Sequence, residues 1–391
     1  MKRIFILSAL LLTMVLSAGA QRKTDLLDRG LVAIKTTDGV YCSWRIMGEE
    51  YYDVTYNLYR DGVKVAENLT VSNYTDAAGS ENSKYAVRAV VRGVEQEAGK
   101  EATVWTTNYM EITPPHHPSI TSTLVPNDAC CADVDGDGEL EILMKFDNQE
   151  EISNLFPKEG HNGEYSIFEV FKMDGTLLWW VNCGPNMGDF QNNEQNIVAY
   201  DWDQDGKAEA VMRLEEGSVI HMKDGSTYTI GADGQNGTAW TNYRTPKVEG
   251  GVEWFTHYGN EFLVYCNGET GVPYQVMEYP LKRLEDGETD LNAAWGDGYG
   301  HRSTKHFFGA PCLDGRKASI FLARGIYTRH KMIAYDVNPT THELTERWRW
   351  SNNTAGSPWY GQGYHNYAVA DVDWDGRDEI CFGSMVIDDN G

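Results

Sequence analysis

Short segments in which hydrophobic and polar residues alternate fill residues 25–108. Alternation with a period of two is typical of β-strands that bury one face. The segments are LVAIKT, VYCSWRIM, VTYNLYRDG, KYAVRAVVRG and EATVWTT. Turn-forming pairs such as Asp38-Gly39 and Asp61-Gly62 separate them. This pattern predicts a small β-sandwich that serves as an accessory module.

A second region follows the extended, proline-rich linker at residues 114–118. It contains strand-turn-strand units at 165–181, 261–279 and 331–350. Recurring β units are typical of the blades of a propeller. We therefore predict an all-β fold, in which a fibronectin type III-like β-sandwich (25–108) precedes a β-propeller domain (119–391).

The first twenty residues follow a different pattern. Met1-Lys2-Arg3 precedes an apolar stretch from Ile4 to Val15, and Ala18-Gly19-Ala20 follows it. This is the pattern of a secretory signal. The stretch is short for a membrane span, and no later run reaches about eighteen apolar residues. We predict a secreted, periplasmic or cell-surface protein, with residues 1–20 as its signal peptide and no membrane span.

Composition narrows the possible partners. The 391-residue chain has a formal net charge of −25, which argues against nucleic acid because phosphate binding needs clustered Lys and Arg. Seven cysteines are scattered without CxxC spacing, so neither a disulfide framework nor a zinc site is expected. The chain is expected to act as a monomer.

Much of the acidity lies in a repeated motif, Asp-x-Asp-x-Asp-Gly-x-x-Glu, at 133–141, 201–209 and 371–379. Alternate aspartates can direct their carboxylates at one centre, the glycine permits a sharp turn, and the seventh residue can offer its carbonyl. Hard oxygen ligands favour Ca²⁺. The predicted calcium ligands are Asp133, Asp135, Asp137, Glu139, Glu141, Asp201, Asp203, Asp205, Lys207, Glu209, Asp371, Asp373, Asp375, Arg377 and Glu379.

The motif differs from an EF-hand, in which a Glu stands at position twelve between helices. Here position twelve holds Met144, Met212 or Phe382, and the Glu stands at position nine. We therefore predict calcium loops inside β structure. The expected role of the bound calcium is to hold adjacent strands together. The ion-free protein should be less stable because its loop carboxylates repel one another.

Six longer stretches are distinctive. They are LDRGLVAIKTTDGVYCSWR (27–45), NLYRDG (57–62), PNDACCADVDGDGELEILMKFDN (126–148), WGDGYGHR (295–302), ARGIYTRHKMIAYD (323–336) and GQGYHNYAVADVDWDGRDEICFGSMVIDDNG (361–391). In wording and order they resemble the family 11 polysaccharide lyases, the rhamnogalacturonan lyases. The resemblance implies an N-terminal β-sandwich packed on an eight-bladed, calcium-rich propeller. It also implies cleavage of the rhamnose–galacturonate backbone of a pectic polysaccharide, rhamnogalacturonan type I.

The resemblance extends to site residues. Asn127 and Asp147 match family positions that contact sugar, and His365 matches the histidine of a GQG-x-HN segment near a metal-containing cleft. We assign Asn127, Asp147, Asn366 and Arg324 to substrate binding and His365 to catalysis. Relatives continue through further blades, which hold the Lys and Tyr usually implicated in the chemistry. We therefore expect a C-terminally truncated member of the family. Whether this chain is active by itself is left open.

Eliminative cleavage takes the proton at C5 of a galacturonate and expels the oxygen at C4. A calcium ion on the carboxylate would stabilise the developing charge, and a positioned base takes the proton. Two alternatives stay open: a non-catalytic, calcium-dependent propeller that binds glycan or protein, and hydrolysis by paired carboxylates such as Asp147 and Asp297. The candidate bases are His365, Lys145, Arg324, His330 and Lys331.

Overall fold

A computed structural model of the protein describes residues 28–47, 54–148, 165–187, 197–243, 258–298 and 300–391. The predicted signal peptide, residues 1–20, lies outside the described residues. The chain divides into two compact units, one spanning Leu26–Thr113 and the other Pro114–Gly391. Strands dominate both units, so the all-β class is confirmed. None of the helices in the described ranges is long and apolar enough to cross a membrane.

Within the part of the unit Leu26–Thr113 that the structure describes, eight strands are joined in the order β4-β3-β6-β8-β1-β2-β5, with β7 on β6. The strands are β1 (Val32–Thr36), β2 (Gly39–Ser43), β3 (Val54–Arg60), β4 (Val63–Leu69), β5 (Asn73–Asp76), β6 (Lys84–Val91), β7 (Val94–Glu95) and β8 (Ala102–Trp105). Its core packs around Trp44, Tyr56, Leu58 and Tyr85. The predicted segments became β1, β2, β3, β6 and β8. The alternation of hydrophobic residues missed β4, β5 and β7 because most of their residues are not buried.

The described residues of the unit Pro114–Gly391 form four antiparallel sheets, named I to IV in chain order. Sheet I consists of β9 (Leu124–Ala132), β10 (Glu141–Asn148), β11 (Ile167–Phe171), β12 (Leu177–Asn182), β15 (Val219–His221) and β16 (Thr227–Thr229). Sheet II consists of β13 (Ile197–Tyr200), β14 (Glu209–Glu215), β17 (Glu261–Asn267) and β18 (Pro273–Glu278). Sheet III consists of β19 (His306–Gly309), β20 (Ile320–Arg324), β21 (His330–Val337) and β22 (Leu344–Asn352). Sheet IV consists of β23 (Ala368–Ala370), β24 (Glu379–Phe382) and β25 (Met385–Ile387). Two short helices, α1 (Leu291–Trp295) and α2 (His301–Thr304), lie between β18 and β19.

The β15–β16 hairpin lies in the sequence between β14 and β17 of sheet II, yet it pairs with β12 at the edge of sheet I. Trp180 of β12 pairs with His221 of β15, and their rings stack with centroids 3.8 Å apart. The hairpin therefore ties sheet II to sheet I through the chain itself.

Successive sheets share hydrophobic cores. On β17, Phe262 and Val264 face the cluster shared with sheet I, whereas Leu263 and Tyr265 face the cluster shared with sheet III. A third cluster joins sheets III and IV. Because a central strand is buried on both faces, it reads as a continuous apolar run, as in FLVYC (262–266).

Each of these sheets has two distinct ends. The acidic motifs join the first and second strands of sheets I, II and IV, and we call this the loop end. Contacts link the loop ends of the sheets: Ala208 N donates to Asp133 O, His342 contacts Asp203, and Asp378 N donates to Cys312 O. We call the opposite end, where the second strands finish, the far end.

Candidate functional site

The acidic motifs bring their carboxylates together at the loop end. Within the described residues, four groups of carboxylate oxygens lie within 4.8 Å of one another. The groups are Asp133, Asp135 and Glu141; Asp201, Asp203, Asp205 and Glu209; Asp371, Asp373 and Glu379; and Glu379, Asp388 and Asp389. The first three correspond to the predicted calcium loops.

The Glu at position nine of each motif holds its loop in place. It is buried, and its Oε2 atom accepts a hydrogen bond from the second residue of the motif: Val134 N at 2.9 Å, Trp202 N at 3.0 Å and Val372 N at 2.7 Å. The glycine at position six has a positive φ in all three loops, where a Cβ atom would be strained. The local sequence therefore holds both the turn and its closing carboxylate in place.

Each loop also has a buried carboxylate oxygen for which the described residues provide no hydrogen bond. These atoms are Asp135 Oδ1, Asp201 Oδ1 and Glu379 Oε1. A buried, unpaired carboxylate oxygen is costly unless a cation compensates it. Grouped carboxylate oxygens that lack a hydrogen-bond donor fit Ca²⁺, whose ligands are mainly carboxylate and carbonyl oxygens.

Burial raises the pKa of the Glu141 carboxyl to about 7 and that of the Glu209 carboxyl to about 9. Neighbouring aspartates, Asp135 beside Glu141 and Asp203 beside Glu209, add to both shifts by charge repulsion. A divalent cation favours the ionised form, so binding of the cation and ionisation of these carboxyls are linked.

Several predicted ligands face other partners. Asp137 Oδ2 accepts a hydrogen bond from Lys172 Nζ at 2.9 Å, and Asp375 Oδ1 accepts one from the Arg377 amide at 2.9 Å. Lys207 Nζ pairs with Glu269 at 2.9 Å. The seventh residues, Glu139, Lys207 and Arg377, were expected to offer backbone carbonyls. The four-residue carboxylate group in loop 201–209 includes its fifth-position aspartate, whereas the groups in the other two loops do not.

Four loop-end residues escaped the sequence prediction because they belong to other strands or turns. Lys172 Nζ lies 2.5 Å from Asp135 Oδ2, and His342 Nε2 lies 3.1 Å from Asp203 Oδ2. Asp388 and Asp389 join the closing Glu of the last loop. Only the Asp388-Asp389 pair left a trace in the sequence, as two adjacent acids directly after an apolar strand.

Asn127 and Asp147 lie together at the far end of sheet I. Asn127 Nδ2 donates to Asp147 Oδ2 at 2.5 Å, and Ser166 Oγ donates to Asp147 Oδ1 at 3.0 Å. Asp147 is buried, with Lys145 Nζ 3.7 Å from Oδ1, while Asn127 is half-buried. The buried carboxylate thus orients an amide that solvent can reach.

This pair is well separated from the calcium loop of the same sheet. Asp147 stands six residues beyond Glu141 on β10, and a strand advances about 3.3 Å per residue, which gives about 20 Å. In sheet IV the strands are shorter, but the register again pairs Ala370 with Glu379 and leaves the segment before Ala368 at the end opposite the acidic loop. An ion in these loops therefore stands apart from Asn127 and from His365, so the loop beside His365 in the sequence does not supply a metal next to it.

His365 is exposed at the far end of sheet IV. Its Nε2 atom lies 3.1 Å from the hydroxyl of Tyr327, which belongs to the β20–β21 connection of sheet III. Tyr327 adopts a φ of 62° and its amide donates to Gln362 O at 2.7 Å, so the backbone fixes the tyrosine against this segment. Asn366 is also exposed, and its Oδ1 atom accepts a hydrogen bond from the Tyr367 amide at 2.8 Å. Nothing in the sequence pattern indicated the role of Tyr327.

Arg324 does not lie where the sequence analysis placed it, because its guanidinium is buried. Nη1 and Nη2 donate to the two Glu261 oxygens at 2.7 and 3.1 Å, and Nη1 also donates to Leu281 O at 2.8 Å. Arg213 and Arg283 contact the same carboxylate at 3.0 and 2.9 Å. Burial opposes ionisation of Glu261, but Arg283, Arg324 and Arg213 outweigh it and hold its pKa well below the ordinary value. Arg324 joins sheets II and III and has no access to a polysaccharide.

The five candidate bases also differ in their exposure to solvent. His330, Lys331, Lys145 and Arg324 are at most 3% exposed. Lys331 Nζ donates to Lys282 O at 2.6 Å and pairs with Glu285 at 2.7 Å. Among the five, only His365 is exposed to a ligand. Asp297, named as a carboxylate for hydrolysis, is buried and accepts from the backbone amides of Gly300 and Arg302.

Comparisons with known proteins agree with this picture of the chain. The family model described as rhamnogalacturonan lyase family 11, C-terminal domain, matches residues 115–391. The model described as rhamnogalacturonan I lyases beta-sheet domain matches residues 22–105.

Two Bacillus subtilis (strain 168) proteins are similar over most or all of the chain. Rhamnogalacturonan endolyase YesW is 37% identical over 408 residues, covering 100% of this chain and 61% of its own length. Rhamnogalacturonan exolyase YesX is 36% identical over 385 residues, covering 95% and 58%. The crystal structure of rhamnogalacturonan lyase YesW superposes with a TM-score of 0.74 at 33% identity, covering 95% of this chain and 60% of that one. The chain thus spans about three fifths of the length of these relatives, and it belongs to rhamnogalacturonan lyase family 11.

Proposed function

We propose that the protein is a rhamnogalacturonan lyase, which cleaves rhamnose–galacturonate linkages of a pectic polysaccharide by β-elimination. The observation that carries this proposal is 37% identity to a rhamnogalacturonan endolyase along the whole chain. A relative that acts on the chain ends, the exolyase, is almost as similar. The proposal therefore commits to the linkage and not to endo or exo action.

The far end of the sheets is the proposed substrate surface. The site residues that solvent can reach, Asn127 and His365, both lie at this end. The far end contains Lys145, Arg213, Arg283, Arg324 and Lys331. Although these side chains are buried and paired, they offset the carboxylates around them. The amide of Asn127 and the imidazole of His365 are the groups proposed to contact sugar there.

In the proposed reaction, a base takes the proton from C5 of a galacturonate and the C4–O bond breaks, which leaves a C4–C5 double bond. The negative charge that develops next to the carboxylate is the barrier that the site must lower. His365 is the proposed base because it is the exposed member of the candidate set. Tyr327, 3.1 Å from its Nε2 atom, orients the imidazole. Asn127, oriented by Asp147, hydrogen-bonds a sugar hydroxyl or carboxylate.

Calcium is proposed to bind the three acidic loops, with Glu141, Glu209 and Glu379 as their closing ligands. When bound there, Ca²⁺ supplies charge compensation that keeps the loops folded. This role is structural stabilisation, because Glu141 and Glu209 stand about 20 Å from the far ends of their strands. In sheet IV the loop also lies at the opposite end of the strands from His365.

We also propose an architecture and a location for the protein. Four sheets that share cores in sequence order are the proposed successive blades of a β-propeller, and the unit Leu26–Thr113 is the proposed fibronectin type III-like sandwich. Residues 1–20 are the proposed secretory signal, which places the enzyme where extracellular pectin is found.

The proposal is tested by following the ultraviolet absorbance of the unsaturated uronate product while the chain acts on rhamnogalacturonan with calcium present. Wild-type protein should give a rise, and His365→Ala should reduce the rate about 100-fold or more, as expected for loss of a general base. The matched control is His117→Ala, which removes another exposed histidine and should leave the rate unchanged. Binding of the polysaccharide without any rise would instead support a non-catalytic glycan-binding propeller.

A further inference from the structure

We propose a second cation site in sheet IV, formed by Glu379, Asp388 and Asp389 and sharing Glu379 with the neighbouring acidic loop. One carboxylate oxygen from each of these three residues lies within 4.8 Å of the others. The same Glu379 carboxylate also belongs to the group with Asp371 and Asp373. Two cations bridged by one carboxylate would therefore occupy this end of the sheet. The inference builds on the calcium assignment of the loops and not on lyase activity.

The strand register explains how the two aspartates reach Glu379. In the β24–β25 hairpin, Ile380 pairs with Ile387 and Cys381 with Val386. Continued by one residue, this register places Asp388 directly opposite Glu379. Asp388 Oδ1 accepts a hydrogen bond from the Asp389 amide at 2.9 Å, which fixes the second aspartate beside the first.

Burial of Glu379, the carboxylate that the two groups share, is a further sign of a bound cation. Glu379 is 2% exposed, and its Oε2 atom accepts from Val372 N. Its Oε1 atom is buried and receives no hydrogen bond from the described residues. A carboxylate so placed is costly without a counter-charge. Asp389, 4% exposed, lies beside it.

The charges around Glu379 favour binding of more than one divalent ion. The two groups that share it hold five carboxylates: Asp371, Asp373, Glu379, Asp388 and Asp389. In the part of the chain that the structure describes, one guanidinium, that of Arg377, contacts them, with Nη1 at 2.5 Å from Asp389 Oδ2. Among these six groups, five carboxylates and one guanidinium leave a formal charge of −4, which two divalent cations would balance.

The other two loops provide an internal comparison at the position opposite the closing Glu. In sheet I the pairing of Ile142 with Phe171 places Lys172 opposite Glu141, and its ammonium lies 2.5 Å from Asp135 and 3.8 Å from Glu141. In sheet II the residue paired with Glu209 is Asn267. The position therefore holds a cation in sheet I, a neutral amide in sheet II and an acid in sheet IV. Sheet I has its own positive charge there, whereas sheet IV has to bind one.

Calcium counting tests the second site with variants that copy the residues of the other sheets. Asp388→Asn reproduces the neutral residue of sheet II and Asp388→Lys the ammonium of sheet I, so both replace the acid with chemistry that this fold already accepts there. Each variant should bind one Ca²⁺ fewer per chain than wild-type protein in equilibrium dialysis against calcium chloride. Asp314→Asn, a partly exposed acid of the adjacent turn outside the four groups, should bind the wild-type number.

Terbium luminescence tests for a cation at the second site itself. Trp348 Nε1 donates to Asp389 O at 2.9 Å, so Tb³⁺ in the second site would be excited through this indole. Asp388→Asn should remove much of that emission. Wild-type calcium counts in both Asp388 variants would overturn the second site. If Asp203→Asn loses an ion while the Asp388 variants lose none, the loop assignment stands and only this inference fails.

Discussion

The imidazole of His330 stacks on the ring of Tyr364, with centroids 5.3 Å apart, and its Nδ1 atom lies 3.2 Å from the Tyr364 hydroxyl. His330 is 1% exposed and joins the far ends of sheets III and IV. Burial lowers the pKa of His330 from 6.5 to about 4, although hydrogen bonds to the backbone oppose the shift. The fold therefore contains a histidine that stays neutral in mildly acidic solution.

Stability should consequently fall as the pH drops below about 6.5. The unfolded chain binds a proton at His330 near its ordinary pKa, whereas the folded protein does so only near pH 4, so protons favour unfolding throughout this interval. The shift corresponds to about 2 kcal/mol lost between pH 7 and pH 5. Denaturant unfolding of wild-type protein and His330→Phe at both pH values should show a smaller loss in the variant. Equal losses in the two proteins would contradict the linkage.

The ion pair between Arg324 and Glu261 should be among the most sensitive contacts of the fold. Arg324→Leu leaves Glu261 buried with one fewer partner, and breaking such a pair costs about 3–5 kcal/mol. Arg349→Leu is the matched control, because its side chain is 45% exposed and pairs with Glu346 at the surface. It should cost less than about 1 kcal/mol in the same unfolding experiment. A mild effect of Arg324→Leu would show that Arg213 and Arg283 suffice.

Removal of calcium should lower the melting temperature of the protein. Ligand linkage gives about 2.7 kcal/mol per site when the ion is at a hundredfold excess over its Kd. Glu209→Gln removes the closing charge of loop 201–209 and should reduce the difference in melting temperature between calcium and chelator. Asp286→Asn changes an acid that is 95% exposed and should keep the full difference. A melting temperature indifferent to chelator would refute calcium as the loop cation.

Asn127→Ala should weaken binding of rhamnogalacturonan fragments while the fold persists. Loss of one hydrogen bond to a ligand costs about 1 kcal/mol, which is a several-fold increase in Kd. Titration calorimetry with Asn82→Ala, an exposed asparagine of the other unit, provides the comparison. Unchanged affinity in Asn127→Ala would remove this residue from the proposed surface.

The local features of the chain were readable from its sequence, because they depend on neighbouring residues. Strand-turn-strand units such as 331–350 formed as predicted, in β21 and β22. The motif 201–209 gathered four of its carboxylates as its spacing indicated. Such patterns need only the alternation of a strand and the turn that a glycine permits.

Contacts between distant segments were not readable. Arg213, Glu261, Arg283 and Arg324 meet from four places in the chain, and no periodicity relates them. Arg324 looked like a free cation because its sequence neighbours do not reveal the carboxylate of β17. The distance between His365 and the acidic loop that follows it was hidden for a similar reason, since only strand direction shows that they lie at opposite ends.

The pairing of the β15–β16 hairpin with sheet I has a consequence for how the protein unfolds. The hairpin is covalently continuous with β14 and β17 but hydrogen-bonded to β12. Unravelling of sheet I therefore frees a segment anchored in sheet II, and unravelling of sheet II pulls on the edge of sheet I. The two sheets should exchange their amide hydrogens as one cooperative unit, whereas sheet IV can open separately.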